Sequence, residues 1–86
     1  MTAPPRLWYV YLVECCDGTL YTGVALDPGH RVQVHNSGHG ARYTRTRLPV
    51  RLLAYQPAGE CGDALKLERR LKRFAPARKR AFFGVM

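Results

Sequence analysis

The sequence predicts an α+β fold, a small three-stranded antiparallel sheet flanked by helices in the order β-β-α-β-α-α. Three observations lead there. An aromatic and β-branched run, W-Y-V-Y-L-V-E at 8–14, precedes a Cys-Asp-Gly turn and a second extended run. An Asp27-Pro28 pair then opens a helix. A basic amphipathic stretch, A-L-K-L-E-R-R-L-K-R at 64–73, follows a third extended run.

Taken in order, residues 1–6 read as a loose leader, because Pro4 and Pro5 block regular structure. Residues 7–86 read as one domain, since 86 residues leave no room for a second. The first strand runs from Trp8 to Glu14. Gly18 can take the positive φ that a turn at Cys16-Asp17-Gly18 needs, and Thr19 to Ala25 returns as the second strand of a hairpin. Asp27 caps a helix that starts at Pro28 and runs to about Asn36, ended by Gly38 and Gly40. Residues 41–49, A-R-Y-T-R-T-R-L-P, show no period and read as a long basic loop. Val50 to Gln56 is the third strand, closed by a break at Pro57–Gly59. A second helix spans about Gly62 to Phe74, and Pro76 opens a third over about Ala77 to Phe83.

Charge narrows the function classes. Lys plus Arg number 14 against 6 for Asp plus Glu, a formal net charge of +8. Residues 1–40 hold two cations and three acids, net −1, whereas residues 41–86 hold twelve and three, net +9. Eleven of the fourteen cations are Arg, whose guanidinium forks onto phosphate and stacks on bases. A polyanionic partner is expected, because +8 on so small a domain costs self-repulsion; a solvated basic face is the plain alternative. Cys15, Cys16 and Cys61 are odd in number, with two adjacent and no C-x-x-C, which fits neither a disulfide framework nor a zinc site. They read as reduced thiols. No stretch approaches the roughly 20 apolar residues of a membrane span, and the N-terminal run does not fit a signal peptide. The expected location is cytoplasmic, with no membrane partner.

Three groups of residues can carry chemistry. Tyr9 and Tyr11 share a strand face, and Tyr21 joins them only if the turn has three residues, which pairs Cys15 with Thr19 and Val13 with Tyr21. A two-residue turn puts Tyr21 on the other face, and half-buried packing is the ordinary use of such tyrosines. Arg31 and His35 stand four apart on the first helix and point the same way. Glu68 is the one acid among eight cations between Lys66 and Arg80. It lies about 40° from Ala64, at the margin of the stripe formed by Ala64, Leu67, Leu71 and Phe74. A carboxylate there needs a partner, which is either a neighbouring Arg or Lys72, or a divalent metal.

In this order the residues resemble the GIY-YIG nuclease superfamily. Tyr9-Val10-Tyr11 stands where the family's first signature falls, and Tyr21-Thr22-Gly23 where the second falls. D-P-G-H-R-V-Q-V-H-N (27–36), G-H-G-A-R-Y-T-R (38–45), L-P-V (48–50) and A-L-K-L-E-R-R-L-K-R (64–73) continue the match over roughly residues 8–80. The chain looks most like the short stand-alone bacterial branch. It departs from the family where Pro28-Gly29-His30 precedes Arg31, where His39 stands in place of a common lysine, and where Tyr9 replaces glycine.

The resemblance implies a domain that cuts phosphodiester bonds of DNA with one divalent metal, Mg²⁺ or Mn²⁺. It implies Tyr11, Tyr21, Arg31, His35 and Glu68 as catalytic residues, with Glu68 as the metal ligand. Tyr11 is the expected base or water-positioning group, its phenol lowered by Arg31 and the metal. Tyr21 is expected to orient the phosphate or share that proton, Arg31 to clamp the transition state, and His35 to relay a proton or bind phosphate. Arg42, Tyr43, Arg45 and Arg47, with Lys66, Arg69, Arg70, Lys72 and Arg73, would hold the substrate backbone, and Tyr43 would stack on a base. Six acids, of which Asp17 and Asp27 serve a turn and a cap, suit one metal and not two. The implied activity is a structure-specific endonuclease of DNA repair or recombination, acting on branched or single-stranded DNA, alone, as a homodimer or with a partner protein. The alternatives are a nucleic-acid-binding module with weak or no cleavage, acting with a partner, and an RNA-associated protein.

Overall fold

The computed structural model describes residues 6–85, so all but Arg6 of the expected leader lies outside the described residues. Strands β1 (Trp8–Cys15), β2 (Leu20–Ala25) and β3 (Val50–Gly59) form one antiparallel sheet in the order β2-β1-β3. Among the described residues four α-helices accompany it: α1 (Pro28–Val34), α2 (Arg42–Arg45), α3 (Cys61–Lys72) and α4 (Pro76–Phe83). The α+β class holds, with one short helix more than the sequence predicts.

The central strand explains the layering. Val10, Tyr11, Leu12 and Val13 are all buried, so both faces of β1 are covered, and an apolar run instead of strict alternation is what such a strand requires. Val10 and Leu12 face Leu71 of α3 and Phe83 of α4. Tyr11 and Val13 face the other way, toward Val32 of α1 and Val50. Glu14, at the end of β1, ties the sheet to α4 through Arg80 at 2.9 Å and to β3 through Arg51 at 2.9 Å.

The hairpin takes the three-residue turn. Cys15 N donates to Thr19 O at 2.8 Å, Gly18 sits at φ 84°, and Val13 pairs with Tyr21. Asp17 accepts from the Thr19 amide and hydroxyl, which fixes the turn from inside. Tyr11 and Tyr21 therefore share a face, with ring centroids 6.4 Å apart. Asp27 caps α1 by accepting from His30 N at 3.1 Å, with Pro28 in the first turn.

Three boundaries differ from the sequence reading. The first helix does not run regularly to Asn36: α1 ends at Val34 and widens into a π-type turn over His35–His39. The segment 41–49 is not all loop, because Arg42–Arg45 closes a helical turn on the Ala41 carbonyl. Pro57 does not break β3, which continues to Gly59 with irregular register opposite Trp8 and Tyr9. β3 is an edge strand, so a residue without an N–H is tolerated there.

Candidate active site

β2 is the other edge of the sheet, and α1 and α3 cover opposite faces beside it. Around that edge lies an open cleft of about 330 Å³, lined by Tyr11, Tyr21, Arg31, His35 and Glu68 together with Gly23 and His39. The five side chains picked out as catalytic from the sequence, carried by β1, β2, α1, the π-type turn and α3, thus meet in one place. Glu68 reaches it because it sits at the edge of the α3 stripe whose Ala64 and Leu71 are buried. Its side chain is 18% exposed, and Lys72 Nζ stands 4.0 Å away, the outer limit of an ion pair.

The buried end of the cleft is a hydrogen-bonded chain. The Thr44 hydroxyl donates to Ala41 O at 2.8 Å. Its oxygen must then accept from His35 Nδ1–H, also at 2.8 Å. That leaves His35 Nε2 bare, so the Tyr11 hydroxyl, 2.8 Å away, donates to it. Tyr11, His35 and Thr44 are each at most 2% exposed, so this polarity is held without competition from solvent. Two glycines leave room for it. A Cβ on Gly23 would press on the Tyr11 ring at Cε2, 2.9 Å away, and one on Gly40 would lie 2.8 Å from the His35 Cα.

Burial also sets the charges. It pushes the Tyr11 phenol well above its usual value, with Tyr21 adding to the effect, and outweighs the pull of Arg31 in the other direction. Arg31 alone therefore does not lower the phenol against this burial. Tyr21 is raised too, by burial and then by Glu68. His35 is held below the usual imidazole range by burial and then by Arg31. Its neutral form is thus part of the fold.

A stability prediction follows. Between the depressed value of folded His35 and the usual imidazole value near about 6.5, the unfolded chain binds more protons, so stability rises with pH. Glu14 and Asp17 are lowered by their Arg and Thr partners and also lose stability in acid, but below the ordinary carboxylate range. Urea midpoints should fall as pH drops from about 7 to about 5, with a slope that His35→Gln flattens. An unchanged slope in that variant would assign the effect elsewhere.

Among the described residues no group of three or more His, Cys, Asp or Glu is arranged to hold a metal. Glu68 is the single carboxylate among the described residues that line the cleft. Such a donor set suits one hard cation that keeps most of its waters and takes substrate oxygens.

The backbone-binding candidates divide. Arg42 and Arg45 are exposed on α2, with Arg45 Nε donating to Gly40 O at 3.2 Å. Arg47 is engaged internally: it pairs with Asp17 at 3.1 Å, donates to Tyr43 O at 2.8 Å and lies 4.0 Å over the Tyr43 ring. Along α3, Lys72 and Arg69 stand about 40° and 100° from Glu68, but Arg73 and Lys66 about 140° and 160° away, on the far side of the helix. Sequence reasoning missed Thr44 and Asn36. The Asn36 side chain accepts from Val50 N at 2.7 Å and donates to Val50 O at 2.9 Å, fastening the turn that carries His35 to the start of β3.

The family model described as the GIY-YIG catalytic domain matches residues 7–80. A UPF0213 protein of Cupriavidus pinatubonensis is 44% identical over 77 residues, covering 90% of this chain and 86% of its own length. A UPF0213 protein of Halobacterium salinarum is 44% identical over 75 residues, covering 87% of this chain and 97% of its own. The solution NMR structure of a UPF0213 protein from Bacillus halodurans matches with a TM-score of 0.54 at 38% identity, over 88% of this chain and 81% of that one.

Proposed function

The chain belongs to the GIY-YIG catalytic-domain family of nucleases, and on that footing we propose that it is a metal-dependent DNA endonuclease with Tyr11, Tyr21, Arg31, His35 and Glu68 as its catalytic residues. The observation that carries the reading is their convergence on one cleft with a built-in proton acceptor behind Tyr11. Hydrolysis forms a bond from a water oxygen to phosphorus and breaks one bridging P–O bond. The water must lose a proton, and the departing alkoxide takes one from solvent.

Tyr11 is a poor base alone, since burial opposes the phenolate. It does not need to form one. As its oxygen takes the proton of the attacking water, its own proton passes to His35 Nε2, so the charge lands on the imidazole. Burial opposes imidazolium as well, and the negative charge developing on the phosphoryl group offsets that cost. Arg31 carries no side-chain hydrogen bond or ion pair among the described residues, which leaves its fork for two phosphoryl oxygens. Tyr21, beside both Tyr11 and His35, orients the phosphate. Glu68 would hold Mg²⁺ or Mn²⁺, which supplies charge relief on the phosphoryl and leaving oxygens when bound.

Arg42, Arg45 and Arg69 follow the backbone and carry no sequence information. Cys15, Cys16 and Cys61 are free thiols, which supports a reducing, cytoplasmic setting. No helix among the described residues is long and apolar enough to cross a membrane. The test is cleavage of single-stranded, duplex and branched DNA and of RNA, with Mg²⁺, with Mn²⁺ and with chelator. Metal-dependent DNA products support the reading and reveal the preferred structure. Binding without products from any substrate would replace it with a binding module.

A further inference from the structure

A second cavity, of about 340 Å³, adjoins the cleft and shares Tyr21 as a wall. It is lined by Leu20, Thr22 and Tyr43 with the side chains of Lys72 and Lys79. We propose that this cavity is a subsite for the phosphate next to the scissile one on the same strand, an inference that rests on the nuclease reading above.

Four observations support it. The lining holds two ammonium groups and no carboxylate. Lys79 is half-buried and has no hydrogen bond or ion pair among the described residues; burial and then Lys72 lower its affinity for a proton. Lys72 has only the distant Glu68 carboxylate and the Tyr21 ring, 5.2 Å from its Nζ to the centroid. The Thr22 hydroxyl is the one buried side-chain polar atom among the described residues without a partner.

An anion gives both ammonium groups a partner, and Lys72 sets it beside the cleft. Lys72 Nζ lies 4.0 Å from the Glu68 carboxylate of the cleft and also lines this cavity, so an anion held here neighbours a phosphate held there. The occupant is a phosphate and not a base, because the Tyr43 ring already carries Arg47 and stacks on Tyr21 with centroids 6.0 Å apart. This also revises the expected role of Tyr43: it walls the subsite instead of stacking on a base.

The experiment compares a thymidine dinucleotide, with one phosphodiester, and a trinucleotide, with two, bound without added metal so that nothing is cut. The parent should bind the trinucleotide about tenfold more tightly, the gain from one charge-assisted contact. Lys79→Gln should lose most of that ratio and Lys79→Arg should keep it. Arg78→Gln makes the same charge change one residue earlier, on a side chain that lies over Phe74 at 4.1 Å, and should leave the ratio intact. Equal losses in Lys79→Gln and Arg78→Gln would reduce the effect to net charge and overturn the subsite. So would inorganic phosphate binding as tightly as the trinucleotide, since the strand would then be irrelevant. Because the ratio needs no turnover, it survives if the chain never cuts DNA, and cleavage can stand if the ratio does not.

Discussion

Glu68→Gln is expected to lower metal-dependent cleavage by on the order of 10²–10³-fold or more while DNA binding and stability hardly change. The amide keeps the shape of the carboxylate and removes its charge. As a structural residue, Glu68 does little: its one ion pair, to Lys72, is 4.0 Å long, and Lys72 is 47% exposed. An i,i+4 pair of that kind contributes about 0.3–0.5 kcal/mol, so the unfolding midpoint should barely move. Lys72→Gln breaks the same pair from the other side and separates the two uses of Glu68. If the salt bridge were its purpose, both variants would behave alike and cleavage would survive both. If Glu68 serves the reaction, only Glu68→Gln abolishes turnover, and Lys72→Gln alters substrate binding instead. Single-turnover cleavage at saturating Mg²⁺, beside anisotropy binding in chelator, measures both. A Glu68→Gln protein that cuts as fast as its parent would remove the carboxylate from the mechanism.

What the sequence makes legible here is mostly short-range. The three-residue turn follows from Asp17-Gly18 and from two tyrosines that can share a face only in that register. The start of α1 follows from Asp27-Pro28, and the burial of Ala64 and Leu71 from the stripe on α3. What was misread depends on neighbours far along the chain. Pro57 looks like a breaker until the strand order makes β3 an edge. Arg42–Arg45 is one helical turn, too short to show a period, and is held in place by the contact from Thr44 to His35, nine residues earlier. Thr44 sits in a polar, basic run where a threonine reads as surface, yet it is fully buried. The balance of forces on the Tyr11 phenol is hidden for a related reason: Arg31 can be read from spacing, but the burial that outweighs its pull cannot.

The same buried threonine carries the second large effect. Thr44→Val keeps the volume and removes the hydroxyl. Ala41 O still accepts from Thr44 N and Arg45 N, so that carbonyl is not orphaned. His35 Nδ1–H is. Leaving it unpaired costs about 1–3 kcal/mol, and the ring can avoid that only by moving its proton to Nε2. Nε2–H then points at the Tyr11 oxygen, which can no longer pass its proton on. Cleavage should therefore fall by about 10²–10⁴-fold although neither Tyr11 nor His35 has been touched, the scale of a wrong-tautomer defect. Imidazole nitrogen chemical shifts would show the change directly, from Nδ1–H in the parent to Nε2–H in Thr44→Val. Thr44→Ser restores the hydroxyl and should recover both the tautomer and most of the rate. A Thr44→Val protein that is less stable but keeps Nδ1–H and near-normal turnover would make Thr44 a packing residue only, and would leave the relay from Tyr11 to His35 without its anchor.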